Sequence, residues 1–461
     1  MKSTSTNPKV LLCTVYRRFA DDYMDLLDEV ILKRPKITMR RRVSPGLRFI
    51  KQNVPEVEIL EYPMWDEYQA KLREGWDIVG FSFYQHEIDE IVRMAEEAHQ
   101  HGVKELWAGN YGALDYKVPS IVDRIILGPG EDELAKLFGY HVHDSEIEHP
   151  PIMFHAALSP GNLKHFTAGV LYTWRGCPFR CTFCQTPAFD KRMFSINLES
   201  IDRVLQYYLQ KRIKYIFIID ELFGANPKFT DQLTRLLARY KFHWYMQSRA
   251  STILRYLDDW YERGLRLPSI GVESMSQGAL DDIDKRQKIE DTVEFARRVQ
   301  EKKYMYSITS YMIGHQSMNA EEVIQDAILF KQLGFVFHGV NIITPFPGTP
   351  LWDELDSKYG IFDRNYRHYD AKHLVFNHPY IKPVQMLDLY KTVVTLLNKS
   401  MTMYRKGILQ LIREGLEENG IGFLWKGLRD GPVNSLFIDD RKPVYFARIA
   451  HGKSATSEQT V

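Results

Sequence analysis

The chain has 461 residues, of which 44% are hydrophobic and 26% charged, with a formal net charge of +1. That length predicts two or three domains, and the charge balance gives no electrostatic reason to expect a nucleic-acid partner. No run of 18 apolar residues occurs and the first eight residues lack an apolar core, so neither a membrane span nor a secretory signal is predicted. Four cysteines in so long a chain do not predict a disulfide framework, and the expected compartment is a reducing cytoplasm.

The first third of the chain alternates short apolar runs with helical periodicity. The strand-like runs lie at 10–15, 57–60, 77–83, 105–109 and 124–128. This alternation predicts a doubly wound parallel sheet over residues 8–141, with Cys13 as a buried apolar residue. Ligands of such sheets bind beyond the carboxyl ends of the strands. Those ends carry Ser82, Tyr84, Gln85, Asn110, Tyr111 and Gly112.

The rest of the chain divides into a linker, a second strand–helix region and a helical region. Residues 142–163 contain three prolines and predict an irregular linker. Residues 164–352 predict a partial (β/α)6 barrel, whose function is expected at the strand carboxyl ends. Its six predicted strands lie at 168–172, 215–219, 243–247, 269–272, 307–313 and 336–343. Residues 353–450 are predicted to be mainly helical, most clearly at 384–416, and 451–461 to be a disordered tail.

Three of the four cysteines fall within eight residues, at Cys177, Cys181 and Cys184. Thiolates are the usual ligands of iron–sulfur clusters, which normally have four. With three local cysteines, one iron of a four-iron cluster keeps no protein ligand and can bind a substrate or cofactor. Zinc is the competing interpretation, but zinc sites usually add a fourth Cys or His at short spacing, and the next His downstream is His243.

Residues 175–184, Arg-Gly-Cys-Pro-Phe-Arg-Cys-Thr-Phe-Cys, resemble the cluster motif of radical S-adenosylmethionine (SAM) enzymes. That motif is Cys-x3-Cys-x2-Cys with an aromatic residue, here Phe183, before the last cysteine. The resemblance implies a [4Fe–4S] cluster held by the three cysteines, with SAM bound at the open iron. It also implies one-electron cleavage of SAM to methionine and a 5′-deoxyadenosyl radical.

The same resemblance assigns residues to SAM binding. Asp220 and Glu221 stand where the family contacts the SAM amino group, and Ser248 and Arg249 where it binds the ribose and carboxylate. A helix N-cap is the alternative for the first pair and a structural ion pair for the second. The full set implied to bind SAM is Phe183, Asp220, Glu221, Ser248, Arg249, Glu273 and Gly314.

The N-terminal domain resembles the cobalamin-binding domain that precedes many radical SAM cores. Residues 44–47 are similar to its entry to a helix, residues 128–131 to one of its turns, and residues 344–351 to the end of the cobalamin-type core. The Asp-x-His-x2-Gly motif that supplies a cobalt ligand is absent, since no His precedes His86. The resemblance assigns the six strand-end residues of the N-terminal sheet to cobalamin. A domain that kept this fold without the cofactor is the alternative.

The resulting hypothesis is a radical SAM enzyme that functionalises an unactivated carbon of a small or lipid-like substrate, with cobalamin-dependent methyl transfer favoured. Cobalamin-free cyclisation, carbon–carbon coupling, rearrangement and aminocarboxypropyl transfer are alternatives within the family. A non-catalytic iron–sulfur redox or binding protein is the alternative of another class. The expected partners are a small-molecule or lipid-like substrate and an electron donor such as flavodoxin or ferredoxin. The sequence names neither the substrate nor the bond that is formed.

Overall fold

The computed structural model describes residues 7–17, 23–25, 38–40, 43–158, 164–335, 337–398, 435–437 and 443–449. The strands are β1 (Val10–Thr14), β2 (Tyr23–Asp25), β3 (Thr38–Arg40), β4 (Glu58–Leu60), β5 (Ile78–Ser82), β6 (Glu105–Gly109), β7 (Arg124–Ile125), β8 (Ile152–Leu158), β9 (Lys164–Leu171), β10 (Trp174–Arg175), β11 (Phe194–Ser195), β12 (Tyr215–Ile218), β13 (His243–Ser248), β14 (Leu265–Glu273), β15 (Ile308–Ile313), β16 (Phe337–Ile342) and β17 (Ser435–Phe437). The helices are α1 (Pro45–Asn53), α2 (Trp65–Leu72), α3 (Ile88–Gln100), α4 (Glu131–Ala135), α5 (Thr186–Phe189), α6 (Leu198–Gln210), α7 (Pro227–Arg239), α8 (Ala250–Glu262), α9 (Gln277–Asp282), α10 (Ile289–Glu301), α11 (Ala320–Gln332), α12 (Pro350–Lys358) and α13 (Pro383–Asn398).

Five N-terminal strands form one parallel sheet in the order β4-β1-β5-β6-β7. All five side chains of β1 are buried, as expected for a central strand that is covered on both faces. Cys13 on this strand is fully buried, and burial raises the pKa of its thiol. The prediction that Cys13 is an apolar core residue is confirmed. Because the strands are parallel, their carboxyl ends meet at a single edge of the sheet.

Six parallel strands, β9, β12, β13, β14, β15 and β16, form the second sheet's central part in that order. Helices α6, α7, α8, α10 and α11 follow one another between these strands, which gives the predicted partial barrel. On β13, buried Trp244 contacts Trp260 of α8, whereas Tyr245 is half-buried on the other face. Alternate side chains therefore face the helices and the barrel interior.

The stretch 142–163, predicted as an irregular linker, contains strand β8. β8 pairs antiparallel with β9 along its whole length, and β17, β3 and β2 extend the sheet beyond it to ten strands. The linker prediction is therefore wrong for residues 152–158. Two prolines precede β8, and the strand forms because β9 and the Tyr208 hydroxyl, which bonds Ile152 N and O, supply its partners. These are tertiary contacts that local composition does not encode.

The first part of the predicted C-terminal helical stretch is a helix, and most of the rest of the region lies outside the described residues. Helix α13 covers the start of the predicted stretch 384–416, whereas the remainder of that stretch and the predicted tail 451–461 lie outside the described residues. Residues 443–449 return to the N-terminal domain, where Phe446 and Gln52 exchange two hydrogen bonds of 3.0 and 2.9 Å. Within the described ranges, no helix is both long and apolar enough to cross a membrane.

Candidate functional site

The cysteine loop, residues 176–185, lies between β10 and α5 at the carboxyl end of the barrel. Gly176 has φ +87°, and a β-carbon there would lie 2.2 Å from the carbonyl oxygen of Arg192, so only glycine fits. The loop is anchored on both sides of Thr182. Its N–H donates to Ile283 O and its carbonyl accepts from Leu351 N, each at 3.0 Å. Leu351 belongs to the predicted core signature 344–351, which therefore supports the cysteine loop directly.

The three cysteines of this loop are thiols that form no disulfide. Cys181 is buried, whereas Cys177 and Cys184 are half-buried. Burial raises the pKa of Cys177 and Cys184, while backbone hydrogen bonds from Phe179 and Thr186 oppose that rise. A metal that binds here must therefore displace protons from the thiols. In the described part of the chain, no three His, Cys, Asp or Glu side chains converge where one metal ion could sit.

Glu273, a predicted SAM residue, is held in a polar cluster beside the cysteine loop. It is buried and has a left-handed backbone with φ +64°. Its carboxylate accepts from Lys285 Nζ and from Ser310 Oγ, both at 2.8 Å. A β-carbon on Gly271 would lie 2.1 Å from Glu273 Oε1, so glycine makes room for this carboxylate. Lys285 Nζ also lies 5.8 Å from the ring centre of Phe183, which places the cluster of charges next to the cysteines.

Asp220 and Glu221 are neighbours that point to different places. Asp220 is fully buried and accepts hydrogen bonds from Thr173 N, Thr173 Oγ1 and Trp174 N at 2.5, 2.5 and 3.0 Å. It therefore braces the segment that leads into the cysteine loop. Glu221 is exposed to a neighbouring cavity and accepts from Gly176 N at 3.3 Å. A SAM contact by either carboxylate stays a prediction, and Glu221 has the more accessible position.

The burial of Asp220 predicts a pH-dependent stability. Desolvation raises its pKa from 3.8 to about 7, against the hydrogen bonds it accepts. The contribution of Asp220 to the unfolding free energy is therefore complete below pH 4. It falls as the pH rises from 4 through 7, by up to about 1.4 kcal/mol for each pH unit.

We expect Asp220→Asn to flatten the dependence of the unfolding free energy on pH between 4 and 7. Denaturant titrations of the metal-free protein measure it, with the exposed Asp388→Asn as control; parallel curves for wild type and Asp220→Asn would contradict the assignment.

The remaining predicted SAM residues also have identified surroundings. The Ser248 hydroxyl donates to Phe223 O at 2.6 Å, and Gly314 has φ +86° at the start of the loop after β15. The guanidinium of Arg249 faces the cysteine loop, with Nη2 at 3.4 Å from Cys181 Sγ. Their roles toward SAM stay predictions, because the contacts present here are with the protein itself.

A cavity of about 320 Å³ lies between the carboxyl edge of the N-terminal sheet and the cysteine loop. Four of the six residues assigned to cobalamin line it, namely Ser82, Tyr84, Asn110 and Tyr111. The other two are not among the lining residues. Gln85 donates to Tyr111 O at 2.6 Å and Gly112 N–H donates to Phe83 O at 2.9 Å, so both shape the loops that form the wall.

The cavity shares a wall with the cysteine loop. Gly176 and Thr186, on either side of the three cysteines, both line it, and Thr186 Oγ1 lies 3.1 Å from the Tyr111 hydroxyl of the N-terminal domain. Gly46 also lines the cavity, and a β-carbon there would meet no atom within 4 Å. A molecule in the cavity would therefore lie beside the cysteine loop.

An ion pair between a half-buried arginine and a buried glutamate joins the two domains at the cavity wall. Arg175, which directly precedes the cysteine loop, donates to Glu131 Oε1 at 2.8 Å and stacks over the Phe49 ring at 4.7 Å. Glu131 Oε2 is buried and has no hydrogen-bond partner among the described residues. The amide side chains of cobalamin are donors that would suit this oxygen, so the lining offers that cofactor one polar contact. Among the described residues that line the cavity there is no His, Cys or Met. The sequence likewise lacks the Asp-x-His-x2-Gly motif that supplies a cobalt ligand.

Several residues at the site were missed by sequence reasoning. Asp326 of α11 accepts from Ser274 Oγ, Met275 N and Tyr311 Oη at 3.1, 2.9 and 2.5 Å and so fixes the turn that follows Glu273. Lys285 lies in a charged run that is typical of a solvated surface. No local signal marks either residue, because their partners come from other strand–helix units.

The sequence is similar to those of known proteins. Residues 171–329 match the family model described as the radical SAM superfamily. An uncharacterized methyltransferase of Pyrococcus horikoshii is 26% identical over 55% of this chain and 54% of its own length. The hopanoid C-3 methylase of Methylococcus capsulatus is 24% identical over 59% and 53%, and the bacteriochlorophyllide d C-8(2)-methyltransferase of Chlorobaculum tepidum is 21% identical over 69% and 76%. The chain thus spans about half the length of the first two.

Solved structures agree in fold. TsrM from Kitasatospora setae, a radical SAM methyltransferase solved with cobalamin and a [4Fe–4S] cluster, has a TM-score of 0.58 at 15% identity over 76% of this chain and 78% of its own. OxsB, a cobalamin-dependent SAM radical enzyme solved with aqua-cobalamin, has a TM-score of 0.52 at 16% identity over 76% and 56%. Residues 171–329 are a radical SAM domain, and the predicted α/β architecture with an N-terminal parallel sheet is confirmed.

Proposed function

We propose that this chain, which carries a radical SAM domain over residues 171–329, is a cobalamin-dependent methyltransferase that acts on an unactivated carbon. Cys177, Cys181 and Cys184 would hold a [4Fe–4S] cluster. The cavity lined by Ser82, Tyr84 and other strand-end residues would hold cobalamin. When bound, the cluster supplies one electron to SAM and the cobalamin supplies a transferable methyl group.

One observation carries the proposal: the cavity of the N-terminal sheet and the cysteine loop share a wall through Gly176 and Thr186. A methyl donor and a radical generator must both reach the same substrate carbon, which requires adjacent sites. A domain that had kept only its fold would have no need for a cavity at this wall. The buried Glu131 oxygen without a described partner further supports a polar ligand there.

The reaction balances without an additional oxidant. One SAM accepts an electron and gives methionine and a 5′-deoxyadenosyl radical, which takes a hydrogen atom from the substrate. A second SAM supplies the methyl group and leaves as S-adenosylhomocysteine. Overall, one C–H of the substrate becomes C–CH₃, and a low-potential one-electron donor supplies two electrons. A flavodoxin or ferredoxin in a reducing cytoplasm is the donor that we propose.

The aromatic side chains inside the barrel favour an apolar substrate. Phe217 of β12 and Tyr245 of β13 are half-buried on the face opposite the helices, with ring centres 4.9 Å apart. Phe154 meets Phe217 edge-on at 4.6 Å, so aromatic rings line one side of the interior. On the other side, a β-carbon on Gly339 would meet no atom within 4 Å. The interiors of closed barrels are packed, and rings that remain partly exposed indicate a place for a lipid-like or ring-containing molecule.

The test is anaerobic purification with cobalamin supplied during expression, followed by iron and cobalt counts and a SAM assay with deuterated methyl groups. We expect about four irons and one cobalt per chain. We also expect 5′-deoxyadenosine and S-adenosylhomocysteine in equal amounts, and a cellular small molecule that gains the labelled methyl. The relatives that act on bacteriochlorophyllide d and on hopanoids make apolar extracts the first place to search.

Other outcomes would select among the alternatives. Iron without cobalt, together with 5′-deoxyadenosine, would overturn methyl transfer and favour cyclisation, coupling or rearrangement. Transfer of an aminocarboxypropyl group would instead yield 5′-methylthioadenosine. Cluster-loaded protein that produces no SAM-derived product with any reductant would point to a non-catalytic redox or binding protein.

A further inference from the structure

Arg249 stands between the barrel and the cysteine loop. It caps the amino end of α8 directly after β13 and is 7% exposed. Nη1 donates to Arg286 O at 3.0 Å, and Nη2 donates to Lys285 O and to Cys181 Sγ, the latter at 3.4 Å. The guanidinium lies 3.5 Å from the ring centre of Phe179, inside the cysteine loop. Four contacts thus fix its charge beside one cysteine.

This buried charge has no carboxylate partner in the described structure. Arg249 occurs in no ion pair within 4.0 Å there, and the oxygens it contacts are neutral carbonyls. An isolated buried guanidinium is costly, and removal from water is offset only by a nearby anion and by hydrogen bonds. Among the protein atoms that Arg249 contacts, the sulfur of Cys181 is the one that can become an anion, and it does so when it binds iron.

We propose that Arg249 is the counter-ion of the cluster and raises its reduction potential through Cys181. This inference rests on the cluster assignment of the proposed function and goes beyond it, since the family resemblance implied a role for Ser248 and Arg249 toward the SAM ribose and carboxylate. Reduction adds one electron from a low-potential donor to the cluster and moves no proton. A fixed positive charge and an N–H donor on the thiolate both favour the more negative, reduced state. Arg249 acts as a positioning residue, because its influence passes through the cysteine.

The experiment is an anaerobic potentiometric titration of the reconstituted full-length protein, followed by electron paramagnetic resonance of the reduced cluster. We expect Arg249→Gln to lower the equilibrium constant for one-electron reduction about tenfold, a downward shift of ~59 mV. Arg249→Lys retains the charge but not the forked donor, and should lower it about threefold. The matched control is Arg180→Gln, which removes an exposed arginine next to Cys181.

An Arg249→Gln cluster with the wild-type potential would overturn the proposal, as would an equal shift in Arg180→Gln. If Arg249→Gln does not retain iron, the Arg249→Lys titration decides the question: a lowered potential supports the proposal and an unchanged one refutes it. The titration needs no substrate and no methyl transfer. A protein that holds the cluster but transfers no methyl group would therefore refute the proposed function while this measurement still gave its own answer.

Discussion

Cys181→Ala is expected to abolish cluster binding and SAM cleavage. The residue is the most buried of the three cysteines in the loop, and its neighbour Thr182 is anchored on both sides by backbone hydrogen bonds. With two thiolates left, the loop no longer supplies the three ligands that the proposed cluster requires. We expect iron content to fall from about four atoms per chain to near zero, and 5′-deoxyadenosine formation to fall by more than about 1,000-fold, since the radical has no other source.

Cys13→Ala is the matched control for this experiment. Cys13 is the remaining cysteine of the chain and lies fully buried in the N-terminal sheet, away from the loop. The change should cost about 1 kcal/mol of stability through lost packing, while iron content stays at the wild-type level. Iron counts and the visible spectrum of the reconstituted proteins measure both variants. Equal iron in Cys181→Ala and wild type would refute the cluster assignment.

Gly46→Leu is expected to block cobalamin binding while the cluster remains. Gly46 lines the cavity and a β-carbon there would meet no protein atom within 4 Å, so a leucine side chain would add bulk at the wall of the proposed cobalamin site. We expect cobalamin affinity to fall by about 10- to 100-fold, which corresponds to roughly 1.4 to 2.7 kcal/mol of binding free energy. Equilibrium binding of cobalamin to the full-length protein, followed by its visible absorption, gives the measurement.

The control for this variant adds a similar side chain outside the cavity. Ala70→Leu places the same bulk on the exposed face of α2, where it should change neither iron nor cobalt content. Gly46→Leu should keep its iron, since the cysteine loop is anchored by contacts within the barrel. Unaltered cobalamin affinity in Gly46→Leu would show that the cofactor does not use this cavity, and methyl transfer by this route would lose its support.

The sequence by itself determined the elements and the local chemistry. Apolar runs located the five strands of the N-terminal sheet and the six parallel strands of the barrel, because buried parallel strands are apolar over consecutive residues, but they did not locate β8. The spacing of Cys177, Cys181 and Cys184 is local, so the chelating loop could be recognised without a fold. The ends of the strands also predicted Ser82, Tyr84, Asn110 and Tyr111 at one edge, and these residues do line one cavity.

The tertiary structure decided which of these groups face one another. Asp220 and Glu221 are adjacent in sequence, yet one braces Thr173 and the other faces the cavity, since consecutive residues after a strand turn to opposite sides. Lys285 reaches Glu273 only because two segments of the barrel approach each other. The Arg175–Glu131 pair likewise joins residues 44 positions apart across the two domains. Local composition favours one conformation for a segment, but the partners of a charge, like those of strand β8, depend on long-range packing, which no stretch of the sequence contains.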